Sequence, residues 1–459
     1  MAAQHEGCST VSITKTVSVY PKGSSPPKLL SLSNLDRQCP SLMYMVLFYK
    51  PSYACQNLPV SSIFSRLKTS MEETLSVWYP ATGRLSLNPD DGKLDLWCNN
   101  SGAILVESVT QVKISELGDL SHYSDFFENL VFKPVVNGNI SDMPLIVAQV
   151  TKFGCGGYSL GIGTSHSLFD GQAAYDFLCA WASQSNMKGS EALDQLHKPV
   201  HERGRLLMSN YQTPKGANNF GKKLNPGIRV AAIDHLYELI KQAATDHQNR
   251  ENYVLRTFHL SGAMIENLKR KVLGEKRGNY MCSSFEVVTA HLWKARTKAS
   301  GLIKEKMVCL QFAVDTRNKM VPPLPKGFSG NAYVLASVAL TAGELEEESH
   351  EAIVEKIKKA KNSVTNDYVN AYIKALEVPQ ATLPPLKELT LVSDWTRVPF
   401  HKVDFLGEEA AYASPLVPPL PQVAYLMQNP NGTKGIDVRI GLLPQTLDAF
   451  SHYFLMNLQ

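Results

Sequence analysis

A long polar stretch near the middle of the chain constrains its fold more than any other feature. Residues 183–227 are polar, punctuated by Gly, Pro and Asn, and show no sustained hydrophobic periodicity. Loops longer than about 12–15 residues without secondary structure are uncommon inside one compact domain. The sequence therefore predicts an N-terminal lobe over residues 1–190, a crossover linker over 191–226 and a C-terminal lobe over 227–459.

The size and composition of the chain agree with two sizeable globular lobes. Of its 459 residues, 44% are hydrophobic and 19% are charged, so the chain can bury a large core without disulfides or metals. The net charge is only +4, which is too weak over this length to indicate a nucleic-acid-binding protein. We therefore expect no nucleic-acid partner and only a mild preference for an anionic ligand.

Cysteine usage and hydrophobic runs bear on the compartment in which the protein works. The eight cysteines form no Cys-x-x-Cys pair, so the sequence predicts no metal site, and scattered thiols favour a reducing compartment. The N-terminal segment MAAQHEGCSTVSITK lacks the apolar core of a signal peptide, and no run of about 18 apolar residues occurs. We expect a cytoplasmic protein that acts as a monomer and without a membrane partner.

Hydrophobic patterning predicts strands and helices on both sides of the linker. In the first lobe the predicted elements are a helix over 67–77, strands over 103–114, 144–153 and 158–164, and a helix over 171–183. In the second lobe they are helices over 261–273, 284–298 and 344–361, a strand over 436–442, and a helix that begins at Pro444. Each lobe is therefore predicted to have a mixed α/β fold.

One polar turn between a predicted strand and a predicted helix carries the first candidate for chemistry. The sequence Thr164-Ser-His-Ser-Leu-Phe-Asp170-Gly places His166 and Asp170 four residues apart, a spacing that is common by chance. A neutral imidazole with a pKa near 6.5 can remove a proton from a hydroxyl or an amine, although a lone histidine is more often structural. Asp170 either orients that imidazole or, at the helix start, braces the turn near the helix dipole.

Four segments in a fixed order resemble the plant BAHD acyl-CoA-dependent acyltransferases. The segment FGCGGYSLGIGTSHSLFDGQAAYDFLCAWA, at residues 153–182, resembles the signature of that family. Residues 67–85 resemble its early helix and Tyr-Pro…Gly-Arg-Leu turn, and 283–295 its second-lobe helix. Residues 314–334 resemble its Asp-x-Arg…Pro-Pro-Leu-Pro…Gly-Asn stretch. Four ordered matches are far more specific than the His-x-x-x-Asp spacing alone.

The resemblance implies a fold, a reaction and roles for named residues. The family fold consists of two chloramphenicol-acetyltransferase-like lobes, each a mixed β-sheet with flanking helices, joined by a long crossover. His166 would be the general base in a solvent channel between the lobes. Asp170 would be structural and ion-paired with a second-lobe arginine, with Arg317 as first candidate and Arg296 as second. The partners would be acyl-CoA, as co-substrate, and a small-molecule acceptor, with no permanently bound cofactor.

The second hallmark of the family is altered in this chain. Where the family has Asp-Phe-Gly-Trp-Gly, the chain has Asp404-Phe405-Leu406-Gly407-Glu408. One interpretation is a structural loop in which substitution is tolerated. The other is a changed CoA affinity, or a non-catalytic accessory protein that acts through binding. The intact His-x-x-x-Asp motif favours a working acyltransferase.

A second motif indicates packing rather than chemistry. Residues 157–161 spell Gly-x-Ser-x-Gly, the pattern of a serine-hydrolase nucleophile elbow, but β-rich residues continue past Gly161 where that elbow needs a helix. Ser159 is therefore predicted to be an ordinary strand residue, and the glycines around it to allow close packing.

Two segments bear on the substrates that the resemblance implies. Met43 and Met45 occupy a segment that lines the acceptor pocket in the family, and Trp395 lies in a second such segment. These side chains offer little to a polyhydroxylated, charged acceptor such as shikimate, although they could equally fill the core. We therefore expect an acceptor with an apolar or aromatic body and one hydroxyl or amine. The resemblance to the family implies an aromatic acyl donor of the hydroxycinnamoyl or benzoyl type.

Overall fold

Most of the chain is described by a computed structural model. The described residues are 10–23, 25–53, 56–135, 139–186, 198–207, 253–273, 282–376, 388–416, 423–430, 435–456 and 458. They belong to two compact units: unit 1 comprises Met1–Gly204, Pro325–Asn331 and Val398–Pro418, and unit 2 comprises Arg205–Leu324, Ala332–Arg397 and Pro419–Gln459. Of the predicted crossover linker, only 198–207 falls within the described residues.

Strands and helices are distributed over both units. The strands are β1 (Ser12–Val19), β2 (Lys28–Leu30), β3 (Leu42–Tyr49), β4 (Arg84–Leu87), β5 (Leu94–Cys98), β6 (Ala103–Val109), β7 (Ile146–Lys152), β8 (Tyr158–Ser165), β9 (Val254–Leu260), β10 (Met307–Asp315), β11 (Tyr333–Thr341), β12 (Leu389–Asp394), β13 (Tyr412–Pro415), β14 (Val423–Gln428) and β15 (Ile436–Leu442). The helices are α1 (Asn34–Arg37), α2 (Val60–Val77), α3 (Gly171–Ser185), α4 (Gly262–Leu273), α5 (Ser284–Ala299), α6 (Ala342–Glu347), α7 (His350–Asn362), α8 (Asn366–Ala375) and α9 (Pro444–Leu455).

The main sheet of unit 1 has the strand order β1-β6-β7-β8-β3-β13. It is a mixed sheet, because β6 and β7 are parallel while the other neighbours are antiparallel. Strand β8 is buried along its whole length, and a Cβ at Gly161 would lie 1.9 Å from the carbonyl oxygen of Leu130. Ser159 lies inside this strand and is fully buried. The predictions of a strand serine and of close-packing glycines are both confirmed.

Helix α3 packs beside α2 and sets the direction in which the chain leaves β8. Its apolar stripe includes Phe177 and Trp181, both fully buried. The indole nitrogen of Trp181 donates to the carbonyl of Leu67 at 3.1 Å and to the hydroxyl of Ser70 at 3.0 Å, both on α2. Buried indole N–H groups generally need such partners. These bonds fix the helix that follows the polar turn.

Two segments of unit 1, Pro325–Asn331 and Val398–Pro418, fall within the range predicted for the C-terminal lobe. Strand β13 pairs with β3 in antiparallel register, with Tyr412 opposite Phe48 and Pro415 opposite Met45. This pairing places Val398–Pro418 in unit 1. The boundary predicted from composition could not include this segment, because it returns to the first sheet from far along the chain.

Unit 2 is built around a second mixed sheet with the order β11-β10-β12-β14-β15-β9. Strands β10, β12 and β14 are parallel to their neighbours in this set, and the remaining pairs are antiparallel. The predicted helix over 344–361 is wrong as a single element. It is two helices, α6 and α7, because Glu348 adopts an extended backbone and Ser349 caps the second helix.

Both units thus contain a mixed sheet with helices, as the α/β prediction required. Within the described residues, no helix combines the length and the apolar character needed to cross a membrane.

Candidate active site

His166 lies in the tight turn that joins β8 to α3 in unit 1. Its backbone N–H donates to the carbonyl of Ser41 at 3.0 Å. The N–H groups of Leu168 and Phe169 both donate to the carbonyl of Ser165, at 3.0 and 3.1 Å. The chain therefore reverses within a few residues after the strand ends, and the histidine stands at the end of a buried strand.

Asp170 caps the helix that follows this turn. Its backbone is extended, and its Oδ1 accepts a hydrogen bond from the N–H of Ala173 at 2.9 Å. The residue is only 5% exposed. An Asp at this position satisfies a helix N–H that would otherwise have no partner and interacts favourably with the helix dipole. Of the two roles that the sequence allowed for Asp170, this contact is the one that braces the turn.

Asn331 contacts the backbone of His166 and was not singled out from the sequence. Its Nδ2 donates to the carbonyl of His166 at 2.7 Å and to Oδ1 of Asp36 at 3.1 Å. Its backbone N–H also donates to Oδ1 of Asp36, at 3.0 Å. Asn331 is fully buried. It ends the Gly-Asn pair of the 314–334 segment, which was the only signal in the sequence that pointed to it.

Asp36 in turn forms a buried ion pair with Arg203. The Nε of Arg203 lies 2.9 Å from Oδ2 of Asp36, and its Nη2 lies 3.3 Å from Oδ1. Both side chains are fully buried. Asp36 also accepts hydrogen bonds from the backbone N–H and the hydroxyl of Ser33, at 2.9 and 2.7 Å, in a capping box on α1. The sequence analysis missed this pair because its members are far apart along the chain.

The surroundings of His166 favour a neutral imidazole. Burial lowers the pKa of His166 below its ordinary value of 6.5. The side chain of Asn331 and the carboxylates of Asp170 and Asp36 act in the opposite direction but do not cancel the effect of burial on the pKa. A neutral imidazole at pH 7 can accept a proton, which is the property that a general base requires.

Met43 and Met45 lie on β3, beside the strand that leads to His166. Met43 is opposite Thr164 and Met45 is opposite Ile162. Successive side chains of a strand point to opposite faces, so the two methionines share one face of the sheet. Met45 is 6% exposed. Both residues could therefore serve as pocket or as core, and their place in an acceptor pocket stays a prediction.

Trp395 belongs to unit 2 and follows β12 directly. Its Nε1 donates to the hydroxyl of Ser393 at 3.0 Å, and its ring lies 4.9 Å from the ring of Tyr425. These two contacts hold the indole in one orientation. Its role in binding the acceptor remains a prediction.

The two arginines considered as partners of Asp170 also belong to unit 2. Nη1 of Arg317 lies 3.2 Å from Oδ1 of Asp315. Nη1 of Arg296 donates to the hydroxyl of Thr390 at 2.9 Å, and burial lowers the pKa of Arg296 to about 10. An ion pair between Asp170 and either arginine stays a prediction.

The altered hallmark segment is anchored to the sheet of unit 1. The rings of Tyr49 and Tyr158 stack at 4.5 Å, and their hydroxyls donate to the carbonyls of Val403 and Phe405, both at 3.1 Å. The ring of Phe405 meets Trp181 edge-on at 4.8 Å. Phe405, which the chain shares with the family pattern, is therefore part of the core of unit 1.

Leu406 occupies the position of a glycine in the family pattern. Its φ is +60°, in the left-handed region that favours glycine. Its N–H donates to the hydroxyl of Ser185 at 3.0 Å, and its side chain is buried. The segment therefore makes a left-handed turn at Leu406 and buries an apolar side chain there.

In the described part of the chain, no three His, Cys, Asp or Glu side chains come together as metal ligands would.

Comparison with known protein families shows the family to which the chain belongs. A family model described as the Transferase family matches residues 9–456. The chain belongs to the BAHD acyltransferase family. The resemblance carried by the four segments is thereby confirmed, and the chain is an acyltransferase of the CoA-dependent BAHD type.

Two relatives in sequence and one solved structure are similar to this BAHD acyltransferase over nearly its whole length. It is 52% identical over 467 residues to Brassinosteroid-related acyltransferase 1 of Arabidopsis thaliana, with 97% of the chain and 98% of the relative covered. It is 30% identical over 441 residues to omega-hydroxypalmitate O-feruloyl transferase of the same plant, with 95% and 91% covered. The crystal structure of vinorine synthase matches with a TM-score of 0.74 at 19% identity, covering 97% of this chain and 98% of that one. This likeness confirms the predicted fold class of two chloramphenicol-acetyltransferase-like lobes.

Proposed function

We propose that this BAHD acyltransferase moves an aromatic acyl group, of the hydroxycinnamoyl or benzoyl type, from a CoA thioester to a hydroxyl of an apolar plant specialised metabolite. The observation that carries the proposal is the half-buried His166, whose pKa is lowered and whose loop is held at the end of β8. A neutral imidazole in this place suits proton removal from an alcohol. Amine acceptors, which the sequence left open, rank below hydroxyl acceptors.

In the proposed reaction His166 acts as general base in a ternary complex. It takes the proton of the acceptor hydroxyl while the oxygen attacks the thioester carbonyl, so the C–O bond forms and a tetrahedral oxyanion results. The oxyanion collapses, the C–S bond breaks, and the CoA thiolate leaves and takes the proton from His166. No acyl-enzyme is required. Ser159, the one serine in a nucleophile-like motif, is a buried strand residue.

The substrate classes are supported by the names of the relatives and by the chain's own side chains. Omega-hydroxypalmitate O-feruloyl transferase, by its name, moves a feruloyl group to a hydroxyl on a long apolar body. The relative at 52% identity is described as related to brassinosteroids, which are hydroxylated steroids. Met43 and Met45 suit such apolar bodies better than polyols, whose buried hydroxyls would lack partners. We therefore place a hydroxylated steroid first among the acceptors and an ω-hydroxy fatty acid second.

The accessory-protein alternative rested on the altered hallmark. Asp404-Phe405 remain, Phe405 packs on Trp181, and Leu406 adopts a left-handed backbone. A segment so firmly built into unit 1 gives no reason to infer lost catalysis.

The experiment uses the purified full chain with feruloyl-, benzoyl- and acetyl-CoA, each with a hydroxysteroid, an ω-hydroxy fatty acid, shikimate or anthranilate. Thiol release and mass spectrometry of the product measure transfer, and reactions without acceptor measure thioester hydrolysis. We expect transfer from an aromatic thioester to the steroid or the fatty acid, with little to shikimate. A preference for acetyl-CoA would contradict the proposed donor, and a preference for shikimate would contradict the proposed acceptor.

Size-exclusion chromatography of the same preparation tests the sequence expectation of a monomer. Fluorescent tagging in plant cells tests the cytoplasmic location, and an organellar signal would contradict it.

A further inference from the structure

We infer that the buried ion pair between Asp36 and Arg203 positions His166 for proton transfer, and that it acts through the side chain of Asn331. The inference rests on the proposed role of His166 as general base. All four residues belong to unit 1, and only His166 lies in a hallmark motif of the family.

The carboxylate of Asp36 is surrounded by donors. Its Oδ1 accepts from the backbone N–H and Nδ2 of Asn331 and from Nη2 of Arg203. Its Oδ2 accepts from Nε of Arg203 and from the N–H and hydroxyl of Ser33. A buried ion pair is often no more stabilising than apolar residues of the same volume, so stability alone does not explain this one. Its geometry does serve to hold the Asn331 amide.

The orientation of the Asn331 amide is fixed by its two donor bonds. An amide NH₂ has two N–H groups, and here one is directed to Asp36 and the other to the carbonyl of His166. Rotating the amide would break both bonds, so the position of Oδ1 is determined. This oxygen is buried and accepts no hydrogen bond from the described residues. A buried polar atom without a partner calls for an explanation, and a catalytic role is one of the explanations available.

We infer that Oδ1 of Asn331 interacts with His166 when His166 carries a proton. The Asn331 side chain raises the pKa of His166, which means that it favours the protonated imidazole over the neutral one. Catalytic hydrogen bonds are often long in the free enzyme and shorten during the reaction. Asn331 can therefore stabilise the imidazolium that forms when the acceptor loses its proton, provided that Asp36 keeps the amide in place.

Arg203 is itself held in place by several contacts, so it can fix the position of the Asp36 carboxylate and, through it, of the Asn331 amide. Its Nη1 donates to the carbonyl of His201 at 2.6 Å, and its guanidinium lies 5.9 Å from the centre of the Phe328 ring. A Cβ at Gly330 would lie 2.8 Å from Cζ of Arg203. The residue before Asn331 is therefore a glycine against which the guanidinium packs directly.

The experiment compares four variants of the full chain: Asn331→Ala, Asp36→Asn, Arg203→Lys and, as control, Asp95→Asn. Asp95 forms a comparable ion pair with Arg37, the neighbour of Asp36 on α1, at 3.1 Å. The control therefore disturbs the same helix but not the Asn331 amide. The readouts are kcat and KM with the best substrate pair, and the pKa of His166 from NMR titration of labelled histidine.

Asn331→Ala leaves the ion pair in place and is expected to lower kcat about 10²-fold with KM within about twofold, because misplacing a reacting group has effects of this size. The charged groups acting on His166 are Asp170 and Asp36, and both remain in this variant. Its pKa should therefore fall through loss of the amide alone. Asp36→Asn and Arg203→Lys should lower kcat and the pKa in the same direction, and Asp95→Asn should change neither.

A folded Asn331→Ala variant with wild-type kcat and His166 pKa overturns the inference. An effect in Asn331→Ala without one in Asp36→Asn and Arg203→Lys overturns the part assigned to the ion pair. Should Asp36→Asn not fold, Arg203→Lys decides that part, because it keeps the positive charge but cannot form the two-pronged contact with Asp36. If the wild-type chain transfers no acyl group, the proposed function fails, whereas the titration of His166 still tests the positioning.

Discussion

The carboxylate of Asp170 accepts a hydrogen bond from the backbone N–H of Ala173 at 2.9 Å, and so it caps α3 directly after the turn that carries His166. The two residues of the His-x-x-x-Asp motif thus contribute differently to the same turn. Asp170 determines where the helix begins, whereas the role of His166 as general base is a proposal.

Two variants of Asp170 distinguish the stability contributed by its helix cap from the stability contributed by its negative charge. Asp170→Asn keeps a side chain that caps as well as Asp but loses the charge at the helix N-terminus, which is worth about 0.3–1 kcal/mol. A larger loss, of about 3–5 kcal/mol, is expected if Asp170 forms the buried ion pair predicted with Arg317. Asp170→Ala should lose about 1 kcal/mol more, because the cap is removed as well. Urea unfolding of both variants measures this. An Asn variant as stable as the wild type would show that the predicted ion pair is absent.

His166→Ala tests the proposed general base. We expect kcat to fall about 10²–10⁴-fold with the circular dichroism spectrum and the unfolding midpoint close to those of the wild type. His166→Gln is the matched control, because it retains polarity but accepts no proton at neutral pH. Near-wild-type turnover in either variant would rule out the mechanism.

The stability of the protein should depend on pH through His201. Burial lowers the pKa of His201 to about 4, whereas the unfolded chain titrates near 6.5. Between these values the unfolded state binds the extra proton, so the free energy of unfolding falls as the pH drops from 6.5 towards 4. The slope from this residue is about 1.4 kcal/mol per pH unit.

Urea unfolding at pH 7 and pH 5 measures this dependence. His201→Gln should be less stable at pH 7, because it disturbs the bonds to Ser329 and Val77, but its stability should change less between the two pH values. An unchanged difference between pH 7 and pH 5 would show that His201 is not the group that titrates.

At Leu406 we expect the glycine variant to be more stable than the alanine variant, which reverses the usual order of stability. Leu406→Ala and Leu406→Gly both lose a buried side chain, at a cost of about 2–5 kcal/mol for a Leu-to-Ala change. Only the glycine relieves the left-handed backbone, which costs other residues about 1–2 kcal/mol. Thermal unfolding should therefore show Leu406→Gly to be the more stable variant of the two. A more stable alanine variant would argue against the positive φ at this position.

Local pattern carried the prediction of the elements around the site. The strand predicted over 158–164 is Tyr158–Ser165, and the helix predicted over 171–183 is Gly171–Ser185. Both were predictable because the residue types of a buried strand and the apolar stripe of a helix can be recognised within a short stretch of sequence. The family resemblance then assigned a role to His166 that spacing alone could not.

The parts that escaped prediction depend on residues that meet only in the folded chain. Asp36, Arg203 and Asn331 come from three distant segments, and only Asn331 lies in a segment that resembles the family. The break between α6 and α7 was missed for another reason. Ser349 lies inside a continuous charged, amphipathic pattern, and only its capping of Ala352 shows that one helix has ended and another has begun.

Strand β13 has a consequence for how the protein is made. It contributes the outer strand beside β3, although more than 360 residues separate Phe48 from Tyr412 along the chain. While the ribosome is still synthesising the later part, β3 presents an unpaired, largely apolar edge, and such edges promote aggregation of nascent chains. A truncated chain that stops before Tyr412 keeps the whole His-x-x-x-Asp turn but leaves the edge of β3 unpaired. We expect chaperones to bind such a chain, or proteases to degrade it, before it binds any substrate.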